Sequence, residues 1–254
     1  MAILEVSHLE KVYTTRFGGN QVRALHNVSL AVEEGEYVAI MGESGSGKTT
    51  LLNILAALDK PTHGECFLDG KAMSKIREKD ISAFRRDHLG FVFQDFNLLD
   101  TFSLEDNIML PLVLAGQKYA QMSEALEPLA KMLGIDGILK KYPYEVSGGQ
   151  KQRAAVARAL ITHPRLVLAD EPTGALDSRS ADELLRLFAQ INSTGQTILM
   201  VTHSVRAASH AGRIIFIKDG ELFHQIYRGE STNEALYEKI SNTLTMIATG
   251  GEPQ

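Results

Sequence analysis

No stretch of this chain limits its fold more than Ile40-Met-Gly-Glu-Ser-Gly-Ser-Gly-Lys-Thr-Thr50. It fits G-x-x-x-x-G-K-[ST], with Gly42, Gly47, Lys48 and Thr49 at the fixed positions, a match that average residue frequencies give by chance in roughly 1% of chains this long. The apolar run Tyr37-Val-Ala-Ile-Met41 reads as a buried strand before it, and Leu51 to Leu58 carries helical spacing after it. Glycines at 42, 45 and 47 let the backbone curl, so that successive N–H groups and a helix N-terminus face one anion. The anion that suits such a cradle is a nucleotide's phosphate chain. Lys48 then reaches the β- and γ-phosphates, and the Thr49 hydroxyl becomes a ligand of the magnesium ion that bridges them.

Composition removes several classes of function. The 254 residues are 44% hydrophobic, enough to bury the core of one large domain or of a core with a subdomain. Lys and Arg number 26 against 31 Asp and Glu, and no long basic run occurs, which argues against non-specific nucleic-acid binding. The single cysteine, Cys66, rules out a disulfide framework and a C-x-x-C metal site. No stretch approaches the ~18 uninterrupted apolar residues of a membrane span, and the N-terminus lacks a signal-peptide pattern. The protein is therefore expected in the cytoplasm, touching a membrane only through a partner.

The remaining elements follow in chain order. Ile3 to Leu9 and Val28 to Val32 read as strands, Gly64 to Gly70 as a short strand and turn, and Ile76 to Arg86 as a charged helix. Tyr13 and Phe17 lie between the first two strands; Tyr13 either fills the core or stacks on an adenine. Leu89 to Phe93 is a further buried strand ending at Gln94, either in the position where ligands sit in open α/β sheets or a loop residue hydrogen-bonded locally. From about Phe96 the texture turns helical. Ser103-Leu-Glu-Asp106 opens a helix with a capping box, Ala120 to Leu133 is closed by Gly134, and Ser147-Gly-Gly opens a helix that runs to Ile161. Small residues at that helix start make either a second anion site or a plain N-cap.

Arg165-Leu-Val-Leu-Ala-Asp-Glu171 returns to a buried strand and ends in two carboxylates, which are costly there unless a cation or a reaction uses them. Asp170 suits magnesium binding through water, and Glu171 suits polarising an attacking water. Ser178 to Asn192 is an amphipathic helix, and Thr197 to Val201 is a strand leading to His203, which is either a structural histidine or, beside the phosphate-loop strand, a donor to a γ-phosphate. Arg213 to Tyr227 reads as a hairpin around Asp219-Gly220, and Glu234 to Ile247 as a terminal helix before a frayed Gly-Gly-Glu-Pro-Gln tail.

Gly42 to Thr49, Gln94, Ser147-Gly-Gly-Gln150, Leu166 to Glu171, Gly174-Ala-Leu-Asp177 and His203 succeed one another along one chain. In that order they resemble the ATP-binding subunit of an ABC transporter, with Val146 standing where the family usually has Leu. The resemblance implies an α/β fold: a P-loop NTPase (RecA-like) core at 1–95 and 165–230, with an antiparallel β subdomain, an inserted α-helical subdomain at 96–164, and a C-terminal helix and tail at 231–254. It implies an ATPase with ATP and Mg2+ as cofactors. Glu171, His203 and Gln94 would be catalytic, and Thr49, Gln94 and Asp170 would hold the metal. Tyr13, Gly42, Ser44, Gly45, Gly47, Lys48, Thr49, Thr50, Ser147, Gly148, Gly149, Gln150 and Asp177 would contact nucleotide, Ser147 to Gln150 that of a second copy of the chain.

Longer stretches narrow the branch. Phe91 to Asp100, Asn107 to Leu112, Asp170 to Ser178 and Gly212 to Gly220 look like the Bce-type bacitracin-resistance ATPases, relatives of the macrolide and lipoprotein-release exporters. This implies a homodimer on a membrane permease, with a sensor kinase reached through that permease and peptide antibiotics as the threat countered. Phe96, Leu98 and Leu99 are the expected contacts for the permease unless they are core. The competing readings are a macrolide or lipoprotein-release system, an ABC-type ATPase acting on DNA ends or ribosomes, and a small-molecule kinase. The DNA-spanning kind carries a long coiled coil between the phosphate loop and the signature, Ser147 to Gln150, the ribosomal kind carries two cassettes, and a kinase leaves that signature unexplained.

Overall fold

The computed structural model describes residues 2–14, 19 and 21–249. Phe17 and the Gly-Gly-Glu-Pro-Gln tail lie outside the described residues. The chain opens on two long antiparallel strands, β1 (Ala2–Thr14) and β2 (Gln21–Glu33), then enters β3 (Tyr37–Met41). The phosphate loop leads into α1 (Lys48–Leu55), after which β4 (His63–Leu68) and β5 (Lys71–Ala72) complete a four-stranded antiparallel sheet in the order β2-β1-β4-β5. Next come α2 (Ile81–His88) and β6 (Leu89–Val92), then three helices: α3 (Leu104–Leu114), α4 (Tyr119–Leu133) and α5 (Gly148–Leu160). The chain continues through β7 (Leu166–Asp170), α6 (Ser178–Ser193), β8 (Ile198–Val201) and the short α7 (Val205–Ala208). It closes on the hairpin β9 (Arg213–Lys218) and β10 (Glu221–Tyr227), followed by α8 (Asn233–Ala248).

The central sheet runs β10-β9-β3-β8-β7-β6 and is parallel except for β10. Every residue of β3 is buried, as a strand covered on both faces must be. Tyr37, Ala39 and Met41 join one apolar cluster, with Phe188 of α6 and the inserted helices, while Val38 and Ile40 join the other, with α1 and the antiparallel sheet. Truncating one such side chain, as in Ile40→Ala, costs about 2–5 kcal/mol. This is the α/β phosphate-loop core with an antiparallel subdomain and a helical insertion.

Three local expectations need correction. β1 and β2 each span 13 residues, well beyond Ile3–Leu9 and Val28–Val32, because register shifts between Val6 and Leu9 and between Leu9 and Lys11 change which face each residue takes. α1 starts at Lys48 and stops at Leu55, since Ala57 turns left-handed at φ 54° and leaves Leu58 exposed. The helix expected from Ile76 starts only at Ile81: Ile76 and Arg77 are extended, with ψ of 122° and 146°, and the side chain of Glu65 accepts from the backbone N–H of Ser74 just upstream.

Candidate functional site

The phosphate loop is shaped by its neighbours as much as by its own glycines. A Cβ on Gly42 would stand 2.2 Å from the Ile217 carbonyl, and one on Gly47, at φ 99°, would stand 2.4 Å from that of Ala24. The Asp219-Gly220 turn closes the other side, its Gly220 N–H donating to the Ser46 carbonyl at 3.1 Å. Gly47 caps α1 without a side-chain hydrogen bond, so the first-turn N–H groups keep their positive end free for an anion. Ser46 Oγ is buried and has no partner, an orphaned donor inside the loop. Lys48 Nζ folds back to donate to the carbonyls of Gly42 at 2.8 Å and Glu43 at 2.7 Å. Burial lowers its pKa, opposed by the charges of Glu171 and Asp170. Thr50 is half-buried, while Ser44, Gly45 and Thr49 are exposed at the mouth.

Because β3, β8, β7 and β6 are parallel, their carboxyl ends share the edge that carries this loop. Asp170 ends β7, half-buried, and its pKa is raised by burial and by the Glu171 charge, with Lys48 opposing. Glu171 adopts φ 44°. Its Oε1 accepts from the His203 backbone N–H at 2.8 Å and lies 2.7 Å from His203 Nδ1, and its Oε2 accepts from Thr202 Oγ1 at 2.9 Å. Thr202 is fully buried, and its hydroxyl accepts from the Ser204 N–H at 3.0 Å, which aims its single proton at Glu171. The His203 side chain is 75% exposed and open to an incoming group. Gln94 lies against Gly174, where a Cβ would stand 2.9 Å from its Cδ. The structure thus brings Lys48, Asp170, Glu171 and His203 to one strand-end edge, with Gln94 at its β6 side.

Other expected site residues lie apart from it. Ser147 caps α5 in a reciprocal box with Gln150, and Asp177 caps α6, accepting from the N–H groups of Arg179 and Ser180 at 3.0 Å. Gly148 lies near Phe96 and Leu176, and Gly149 abuts Ser180. Among the described residues no hydrogen bond joins Ser147–Gln150 to the phosphate loop. Tyr13 is 41% exposed at the end of β1. Its hydroxyl donates to Asp59 Oδ2 at 2.9 Å, and Lys11 Nζ lies 4.8 Å from its ring centre while bonding Asp59 Oδ1 at 2.6 Å. Burial opposes ionisation of Asp59, but the hydrogen bonds from Lys11 and Tyr13 outweigh it and hold the carboxyl below its ordinary range. Tyr13 is therefore a surface ring anchored at its far end rather than core filling.

Of the three residues expected to meet a permease, Leu98 packs half-buried on the core, Phe96 is half-buried, and Leu99 is 44% exposed. Beside them lies an open apolar groove of about 400 Å³, lined among others by Leu58, Phe91, Phe93, Leu110 and Leu114. Sequence reasoning passed over two buried polar side chains. Asn107 bonds the backbone of Leu99, Phe102 and Ser103, and Gln152 bridges Phe93 and Pro172. Gln152 was legible as a polar residue in the Gln152–Val156–Ala159 stripe of a buried helix face.

The arrangement fits a nucleotide and its metal. The uncapped helix start, the orphaned Ser46 hydroxyl and Lys48 suit a phosphate chain, and Asp170 with Thr49 offers the hard oxygen donors that magnesium takes. Among the described residues no cluster of three or more His, Cys, Asp or Glu could hold a metal.

Fold and edge together define a phosphate-loop ATPase cassette. The sequence profile described as ABC transporter matches residues 25–174, and the chain belongs to that family. It is 46% identical to the bacitracin export ATP-binding protein BceA of Halalkalibacterium halodurans, over 97% of each chain. It is 44% identical to the macrolide export ATP-binding/permease protein MacB of Mannheimia succiniciproducens, over 87% of this chain and 34% of that protein. Among solved structures, a dimeric post-hydrolysis state of the ATP-binding cassette MJ0796 bound to ADP and Pi superposes with a TM-score of 0.79 at 38% identity, covering 88% of this chain and 98% of that one.

Proposed function

We propose that this chain is the ATP-hydrolysing subunit of a membrane ABC exporter that protects its host against peptide antibiotics such as bacitracin. The observation that carries the chemistry is the Glu171 carboxylate, held by Thr202 and His203 on the edge that carries the phosphate loop. Lys48 leaves the Gly42 and Glu43 carbonyls for the β- and γ-phosphates, exchanging two neutral acceptors for charged ones. Glu171 orients and deprotonates the attacking water, and His203, exposed beside it, donates to the γ-phosphate. Thr49, Asp170 and Gln94 are the residues that would hold magnesium, which would supply charge neutralisation to the phosphates. Tyr13 stacks on the adenine from the rim of β1.

The exposed Ser147 and its glycines are free to cap the γ-phosphate held by a second copy, so the working unit is a head-to-tail homodimer. No helix of the described residues is long and apolar enough to cross a membrane. The protein works on the inner membrane face through a permease, and the apolar groove beside Gln94 receives a segment of it. A sensor kinase is reached through the same permease.

The bacitracin reading is supported by near full-length similarity to BceA, and the macrolide alternative by similarity to the MacB segment. Deletion of the gene, complemented with wild-type or Glu171→Gln copies, separates them. Sensitisation to bacitracin that only the wild-type copy reverses supports the proposal. Unchanged peptide sensitivity with altered macrolide tolerance moves the chain to the alternative.

A further inference from the structure

Gln152 is wholly buried on α5, the helix that Ser147 opens. Its Nε2 donates to the Phe93 carbonyl at 3.0 Å and to the Pro172 carbonyl at 2.6 Å. Both partners can only accept, so the NH2 group must face them; a flipped amide would set three oxygens against one another. Oε1 is left buried without a partner, an arrangement retained at a cost in solvation.

The positions of the two carbonyls give this bridge its meaning. Phe93 immediately precedes Gln94, and Pro172 immediately follows Glu171. One amide therefore holds the backbone on the far side of each residue, joining segments 59 and 20 positions away from it. The joined segments also touch each other, since Gln94 packs on Gly174 and the Gly174 N–H donates to the Glu171 carbonyl at 2.9 Å. Glu171 itself sits at φ 44°, a conformation that a non-glycine residue keeps only when its surroundings hold it there.

We propose that Gln152 is a positioning residue that fixes Glu171 and Gln94 relative to the signature helix, so that displacement of α5 moves the water-activating carboxylate and the Gln94 arm as one. The proposal rests on the ATPase reading above. Gln152 touches neither the phosphate loop nor Lys48 among the described residues, so its loss acts on turnover rather than on nucleotide affinity.

The test compares full-length Gln152→Leu, which keeps volume and removes the donors, with Val156→Ala, a core truncation on the same helix. Steady-state ATPase rates per folded molecule, ATP affinity and melting temperature are measured for both. Gln152→Leu lowers kcat about tenfold, with ATP affinity within about twofold of wild type, as a misplaced catalytic group does. Val156→Ala loses stability but keeps kcat within about twofold. Near-normal kcat in Gln152→Leu, or an equal fall in Val156→Ala, would overturn the proposal by making Gln152 an ordinary core residue.

Should the leucine variant not fold, Gln152→Glu decides. Its buried carboxyl regains one donor when protonated, so kcat stays below wild type and approaches it only as pH falls; a kcat equal to wild type at every pH refutes the positioning role. Wild-type protein that binds ATP without turning it over counts against the ATPase reading instead, which keeps the two failures apart.

Discussion

Glu171 and His203 meet twice, through Oε1 with the backbone N–H at 2.8 Å and through the same oxygen with ring Nδ1 at 2.7 Å. A carboxylate only accepts, so the ring proton of this contact belongs to Nδ1, and the exposed ring donates to a γ-phosphate as well only with a second proton on Nε2. Removing the ring leaves the backbone contact in place and takes away only the side-chain donor. His203→Ala is expected to lower kcat roughly 100-fold while KM for ATP changes less than about threefold, measured in steady state. A proportional rise in KM would place His203 in ground-state binding instead.

Asp170 has a pKa raised by burial first and by Glu171 second. The folded chain therefore holds this proton more tightly than the unfolded chain does. Stability is unaffected below the ordinary carboxylate range and falls as pH rises through the window between the unfolded and the raised folded value. Asp170→Asn removes that cost, so the nucleotide-free protein should melt on the order of 2 °C higher at neutral pH, with the gain vanishing near pH ~3. The same variant should lose magnesium-dependent strengthening of ATP binding. Thermal melts across pH, with and without ATP and magnesium, read both effects.

Much of the site was legible because it is local. The strand from Tyr37 to Met41, the glycine loop and the helix after it are contiguous, and the two carboxylates end an apolar run whose burial is plain in the sequence. What escaped is set by distant partners. Bulges rather than composition extend β1 and β2, and the Glu65 contact with the Ser74 backbone accompanies the late start of α2. Tyr13 suits core filling and adenine stacking equally in the sequence alone, and only Asp59, 46 positions away, takes its hydroxyl and leaves the ring at the surface. Gln152 and Thr202 are similar cases, polar side chains whose roles depend on carbonyls and carboxylates that only the fold brings near.

Ser147 is exposed and unlinked to the phosphate loop of its own chain. If it serves the loop of a second copy, complementary defects combine productively. Lys48→Ala and Ser147→Arg chains, each inactive alone, should on mixing recover about a quarter of wild-type ATPase activity, since random pairing gives half mixed dimers, each with one intact composite site. Titrating one variant against the other gives the curve. No recovery at any ratio would count against shared sites.

The central claim is that Glu171 activates water while Lys48 and the loop bind the nucleotide, and Glu171→Gln tests it most directly. The amide keeps the size of the side chain and its contact with Thr202 but cannot take the proton. Equilibrium ATP binding and single-turnover hydrolysis are measured on the same purified variant. The account predicts wild-type ATP affinity with hydrolysis slowed at least about 100-fold; hydrolysis at near wild-type rate would contradict it.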